Sequence, residues 1–153
     1  MLGLAQPRTL VRQRNDADDS FIAQLSASAF AEYSRHPGQS TLYMARAGMT
    51  WVAERSDEPV GFVIARRSGE ASAELCAIAV DESARGLGVG KALLMRLERA
   101  LVRAGTRELT LHTADANASA LELFTKHGFL TQRRLPRFYR GVFAAWAMHK
   151  RIA

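Results

Sequence analysis

The sequence predicts one mixed α/β domain. Short apolar runs bounded by turn residues alternate with amphipathic stretches, and the most apolar run, residues 73–80, leads directly into a glycine-rich segment and a helix. A length of 153 residues suits a single domain. With 48% hydrophobic and 24% charged residues the chain can build a core, which excludes a disordered or collagen-like protein. No apolar run approaches the roughly 18 residues of a membrane span, so no membrane partner is expected. Residues 1–7 are too soon polar for a signal peptide and are expected to be a flexible lead into the domain. The lone Cys76 has no partner for an internal disulfide, which fits a reducing, cytoplasmic location.

The elements follow in order. Residues 9–12 read as a first strand, and Asn15, Asp16, Asp18, Asp19 and Ser20 supply caps and first-turn acids for a helix through Phe21, Ile22, Leu25, Ala29 and Phe30. Arg35-His36-Pro37-Gly38 breaks that helix, and a second helical stretch spans 39–47. Strands at 50–54 and 60–65 flank Ser56-Asp57-Glu58-Pro59, as in a hairpin. Residues 73–80 are apolar enough for a central strand covered on both faces. A helix over 88–104 carries Leu94, Leu97, Leu101 and Ala104 on one stripe and stops at Gly105. A strand at 108–113, a short helix capped by Asn117, and strands at 129–131 and 141–148 complete the chain.

The charge is uneven. The chain totals +6, yet from Lys126 onward there are seven basic residues and no acid, leaving −1 for the first 125 residues. A basic protein invites a nucleic-acid partner. Basic and aromatic residues are not interleaved on a recognisable binding fold, so none is expected.

The segment Arg85-Gly86-Leu87-Gly88-Val89-Gly90-Lys91 carries the chemistry. Glycines let backbone N–H groups converge on a ligand, and a helix N-terminus leaves its first amides free beside a partial positive charge. Lys91 in that first turn opposes the helix dipole unless an anion is present, and no acid occurs between Arg85 and Leu97. A phosphate cradle is one reading; a glycine-rich turn that packs the helix closely on a strand is the other. The spacing matches neither a P-loop, since Ala92 follows Lys91, nor a dinucleotide fingerprint.

Arg85, Gly88 and Gly90 meet the Arg/Gln-x-x-Gly-x-Gly/Ala signature of the GCN5-related N-acetyltransferases, and Asn117 to Phe129 resembles that family's Asn-x-x-Ala…Phe/Tyr…Gly-Phe motif. The resemblance covers about residues 51–148 and is nearest to ribosomal-protein-alanine and related N-terminal acetyltransferases. It implies a mostly antiparallel mixed sheet of about seven strands flanked by about four helices, with central strands that splay around acetyl-CoA. It further implies pyrophosphate on the amides of Gly86, Leu87, Gly88, Val89, Gly90 and Lys91, a pantetheine arm along Ile78, Ala79 and Val80, and contacts from Asn117 and Phe124. No metal is implied. Members occur as monomers or homodimers.

The reaction is expected to be direct acetyl transfer to a primary amine, with a peptide or protein N-terminus ahead of a small-molecule amine; a CoA-binding protein with weak catalysis is the other class. Acetyl transfer to an amine needs a base, an oxyanion donor and a proton for the leaving thiolate. The resemblance assigns the oxyanion to the N–H near Ile78, but the usual acid, a tyrosine, is replaced by Phe124. Tyr139, in Arg133-Arg134-Leu135-Pro136-Arg137-Phe138-Tyr139, either replaces it or walls the acceptor site, as the aromatic pair of those relatives does. His112, five residues before Asn117, lies where relatives carry a glutamate or histidine base; imidazole accepts protons near neutral pH. Its alternative is a strand histidine satisfied by neighbouring backbone, and Glu74 is the second candidate base. Cys76 reads as a small buried hydrophobe. The basic surplus from Lys126 onward favours an acceptor with acidic groups.

Overall fold

Residues 7–153 are described by the structure, a computed structural model; the expected flexible lead lies outside them apart from Pro7. Seven strands form one sheet in the order β1-β2-β3-β4-β5-β7-β6, with β1 at Leu10–Gln13, β2 at Met49–Arg55, β3 at Glu58–Arg67, β4 at Ser72–Val80, β5 at Glu108–Ala114, β6 at Leu130–Tyr139 and β7 at Phe143–Arg151. Four helices flank it: α1 at Asp19–Ala29, α2 at Pro37–Ala47, α3 at Val89–Arg103 and α4 at Ala118–Lys126. Every adjacent pair is antiparallel except β4 and β5, which are parallel and joined through α3. The expected mixed architecture is observed.

The two faces of the sheet carry two cores. One packs Leu93, Leu94, Leu97 and Leu101 of α3 and Phe124 of α4 against Val63, Leu75, Leu109, Leu111 and Met148. The other packs Ile22 of α1 and Ala45 of α2 against Val52, Phe62, Ile64, Ala77 and Ala79. Burial of each α3 leucine contributes about 1.5–3 kcal/mol, which holds the helix and hence the loop before it. Ala104 does not join the α3 stripe; it is the exposed C-cap, and Leu93 takes its share of the core.

Two elements differ from expectation for identifiable reasons. Pro37 does not break a helix but opens α2 at its first turn, where its missing N–H has no intrahelical partner to lose. β6 runs ten residues, far beyond 129–131, although it contains Pro136 and five basic or polar exposed positions. As an edge strand it needs no N–H at Pro136 for an outer neighbour and no apolar alternation. The turn between β2 and β3 is also tighter, two residues rather than four, with Ser56 and Asp57 both at positive φ.

The N-terminal strand is tied to α1 by a buried carboxylate. Arg12 donates to both oxygens of Asp18 at 2.8 and 2.9 Å and to Glu54 at 3.1 Å, while the Asn15 amide also donates to Asp18 at 2.9 Å. The Arg12 guanidinium holds the Asp18 carboxyl below the ordinary carboxylate range, against the opposing effect of burial. A depressed folded pKa adds stability above the unfolded value near pH 4 and loses it as pH falls through the folded value. Asp18→Asn is therefore expected to cost about 2 kcal/mol at neutral pH, a deficit that shrinks as acid titrates the wild type. Equal stability of the two proteins at pH 7, read from denaturant melts, would contradict this account.

Candidate active site

The sheet opens where β4 and β5 part. The two strands pair only from Ser72 to Leu75 against Glu108 to Leu111. Beyond that point β5 continues on β7 through Ala114, while β4 continues on β3 through Val80. The parting coincides with a bulge at Cys76: Ile64 faces Ala77, whereas Ala65 faces Leu75. Ala73 and Leu75 sit in the α3 core, but Cys76 and Ala77 both face the α1–α2 core, as a bulge requires of two successive residues. The edge of β4 that faces β5 is thus free of strand partners over residues 76–80.

A cavity of about 180 Å³ fills the opening. Its walls are Cys76, Ala77 and Ile78 of β4, His112, Thr113 and Ala114 of β5, and Asn117, Ala120 and Phe124 around α4. Phe30 and Tyr33 after α1, Thr41 and Met44 of α2, and Tyr139 at the end of β6 close the far side. A second hollow of about 330 Å³ adjoins it through Ala120 and is lined by Val80, Arg85, Gly86, Gly88, Val89, Gly90 and Lys91. Ala120 borders both, so the start of α3 and the strand gap lie on either side of one residue.

The glycines divide between the two roles open to them. Gly86 and Gly88 adopt positive φ, 77° and 79°, and a Cβ at either would meet no atom within 4 Å, so they border open space. Gly90 instead lets α3 approach α4: a Cβ there would lie 3.2 Å from Leu123. The α3 N-terminus has neither a side-chain cap nor an acid in its first turn. Its first turn, Val89 to Lys91, lines a hollow together with Arg85, an arrangement suited to an anion.

Asn117 does cap α4, accepting from the Ala120 amide at 3.2 Å, and still lines the cavity. Phe124 is buried edge-to-face on Phe129, centroids 5.6 Å apart, and offers the cavity a wall without a hydroxyl. His112 lines the cavity and its ring stacks on Phe138, centroids 4.6 Å apart and planes 22° apart. Among the described residues, this stack is the contact that orients the ring. Tyr139 stands beside it, edge-on to Phe138 and 5.2 Å from the Tyr33 ring. Burial pushes the Tyr139 phenol up to about 12, so it stays protonated at neutral pH.

Glu74 is not brought to this site. It lies on the paired part of β4, 3.4 Å from the Arg66 guanidinium, and does not line the cavity. Cys76 is half-buried and does line it; burial raises its thiol to about 11, which suits an inert wall more than a nucleophile. Sequence reasoning missed Tyr33 and the stacking of Phe138 on His112. Nothing in the sequence joins Tyr33, in the segment after α1, to Tyr139, more than 100 residues away; Phe138 was legible only as part of an aromatic pair. Among the described residues, no group of three His, Cys, Asp or Glu is placed to hold a metal, and no helix is long and apolar enough to cross a membrane.

The stack on Phe138 is directly observable. Phe138→Ala is expected to move the His112 ring protons downfield in NMR spectra, because a proton over an aromatic face is shielded. Unmoved resonances would mean that the two rings do not stack.

Comparison with known proteins agrees with this geometry. A mycothiol acetyltransferase of Amycolatopsis mediterranei is 30% identical over 131 residues, 73% of this chain but 42% of that protein, so the chain spans less than half of this relative. The ribosomal-protein-alanine N-acetyltransferase of Brucella melitensis has the same fold, with a TM-score of 0.79, 23% identity, and 93% of this chain and 99% of that one covered. So does a NatC complex structure bound to Gag peptide and CoA, with a TM-score of 0.81, 20% identity, and 95% and 99% covered. The model of the acetyltransferase (GNAT) family matches residues 14–129, the stretch that holds both the glycine cradle and the strand gap, and the chain belongs to that family.

Proposed function

We propose that the protein is an acetyl-CoA-dependent N-acetyltransferase whose acceptor is a peptide or protein N-terminal amine. One observation carries this reading: an uncapped, glycine-lined helix N-terminus and a strand gap walled by His112 and Tyr139 both border Ala120. The open space beside Gly86 and Gly88 fits a pyrophosphate, and Arg85 and Lys91 offset its charge. The unpaired edge of residues 76–80 suits the amide-bearing arm of CoA. When bound, acetyl-CoA supplies a thioester whose acetyl carbon the amine attacks. The new C–N bond replaces the C–S bond, and the thiol leaves carrying one proton.

His112 is assigned the proton released by the attacking amine, directly or through water. The N–H near Ile78 faces the developing oxyanion. Tyr139 is suited to donate a hydrogen bond to the departing sulfur. A phenol pushed up to about 12 by burial holds its proton more tightly than an alkyl thiol does. That favours the wall-and-donor role over outright acid catalysis, and leaves the thiolate to take its proton from solvent. Phe124 supplies shape only.

The N-terminal acceptor is supported by the likeness to the ribosomal-protein-alanine acetyltransferase and to the peptide-bound NatC structure. A small-molecule amine is the second reading, favoured by the mycothiol acetyltransferase relative. The basic residues from Lys126 onward suit an acceptor bearing acidic groups, and a cytoplasmic setting fits the lone half-buried thiol.

Thiol release from acetyl-CoA against N-terminal peptides, polyamines and aminoglycosides tests the reading. Peptide-dependent release is expected. His112→Ala should lower kcat by about 10²–10⁴ with acetyl-CoA affinity retained, and Gly88→Glu should abolish that affinity. Tight CoA binding without turnover on any amine would replace the enzyme with a CoA-binding protein, and full activity of His112→Ala would remove it as the base.

A further inference from the structure

Two arginines flank the cavity-lining Tyr139 in the chain, at positions where the backbone favours glycine. β6 carries a bulge between Leu135 and Tyr139, whose partners on β7 are Ala145 and Phe143, so two extra residues are looped out beside the cavity. Arg137 lies in it at φ 59°. Just after Tyr139, Arg140 and Gly141 form the middle of a tight turn, φ 56° and 70°, closed by the Val142 amide on the Tyr139 carbonyl at 3.0 Å. Turns of this kind prefer Asn-Gly, and left-handed bulge positions prefer Gly. An arginine at either is strained, and strain retained beside a site is a reason to look for a role.

Both side chains are exposed, and among the described residues neither is in an ion pair. Arg134 on the same strand is different: it donates twice to Asp115, at 2.8 and 3.0 Å. Tyr139, between the two strained arginines, lines the cavity and meets Tyr33, so this turn and the segment after α1 face each other across the mouth. Arg35 stands exposed on that opposite segment. The acids here are Glu32 and the already occupied Asp115.

We infer that Arg137 and Arg140 read carboxylates on the residues that follow the acceptor's N-terminal amine. This rests on the peptide-acetyltransferase reading and narrows its substrate class to acidic N-termini. Guanidinium groups on a rigid bulge and turn lose less freedom on binding than the same groups on a flexible loop. They flank Tyr139, which lines the cavity that the acceptor amine would enter.

The test compares kcat/KM for two peptides that differ only in carrying Asp-Glu or Asn-Gln after the N-terminal residue. The wild type is expected to favour the acidic peptide by about tenfold at low salt, from two exposed contacts worth up to about fivefold each, and less as salt rises. Arg137→Gly with Arg140→Gly should bring the ratio to within about twofold. The same variant should melt no lower than wild type, because glycine relieves both left-handed positions. Arg137→Lys with Arg140→Lys, which keeps the charges, should retain most of the preference. A wild type indifferent to the acids, or a glycine variant that keeps the preference, overturns the assignment while leaving peptide acetylation standing. Failure to acetylate either peptide overturns the peptide reading and this assignment together.

Discussion

The parting of β4 from β5 is the constraint on which the rest depends. Parallel neighbours usually stay bonded along their length, because each unpaired backbone group inside a sheet forfeits a hydrogen bond. Here pairing stops after Leu75 and Leu111, and each strand stays with its antiparallel partner. The bulge at Cys76 turns successive side chains onto one face and lets β4 follow β3 away from β5. The released edge is too apolar in its side chains to be a solvent surface, yet it carries free amides and carbonyls. A ligand with alternating amide groups and an apolar arm satisfies both.

The flanking helices are arranged to keep that gap open and to load it. α3 is held down by five buried side chains, so the amides at its start are fixed in space. α4 is held at its start by Asn117, and its Ala120 borders both hollows. Gly90 brings α3 and α4 into close contact, which keeps the anion-binding end near the strand gap. The acceptor side is built differently. It is a ring of aromatic contacts, Tyr33 on Tyr139 and Phe143, and Phe138 on His112, drawn from segments far apart in the chain. A hollow fixed by one packed helix and an aromatic wall assembled from distant segments are consistent with the transferase reading proposed above.

The donor side was legible in the sequence because its signals are local. A buried strand, three glycines, a cation in the first helical turn and a capping Asn117 all fall within a contiguous stretch. The acceptor side was less so. β6 looked like three residues because an edge strand needs neither alternation nor the N–H that Pro136 lacks. Glu74 looked like a base because an acid on an apolar strand stands out, but the register pairs it with Arg66 and puts it before the parting. Pro37 looked like a stop and is a start, since one residue of phase decides between the two. The stack of Phe138 on His112 depends on a bulge, and a bulge leaves no pattern in a single sequence.

Amide hydrogen exchange along β4, with and without acetyl-CoA, tests the central claim most directly. Residues 72–75 are bonded on both sides and should exchange slowly in either state, whereas residues 76–80 should exchange faster alone and slow markedly when acetyl-CoA is added. Equal protection of the two segments before ligand, or protection on binding that appears elsewhere and not at 76–80, would mean that the parted strands are not where the co-substrate binds.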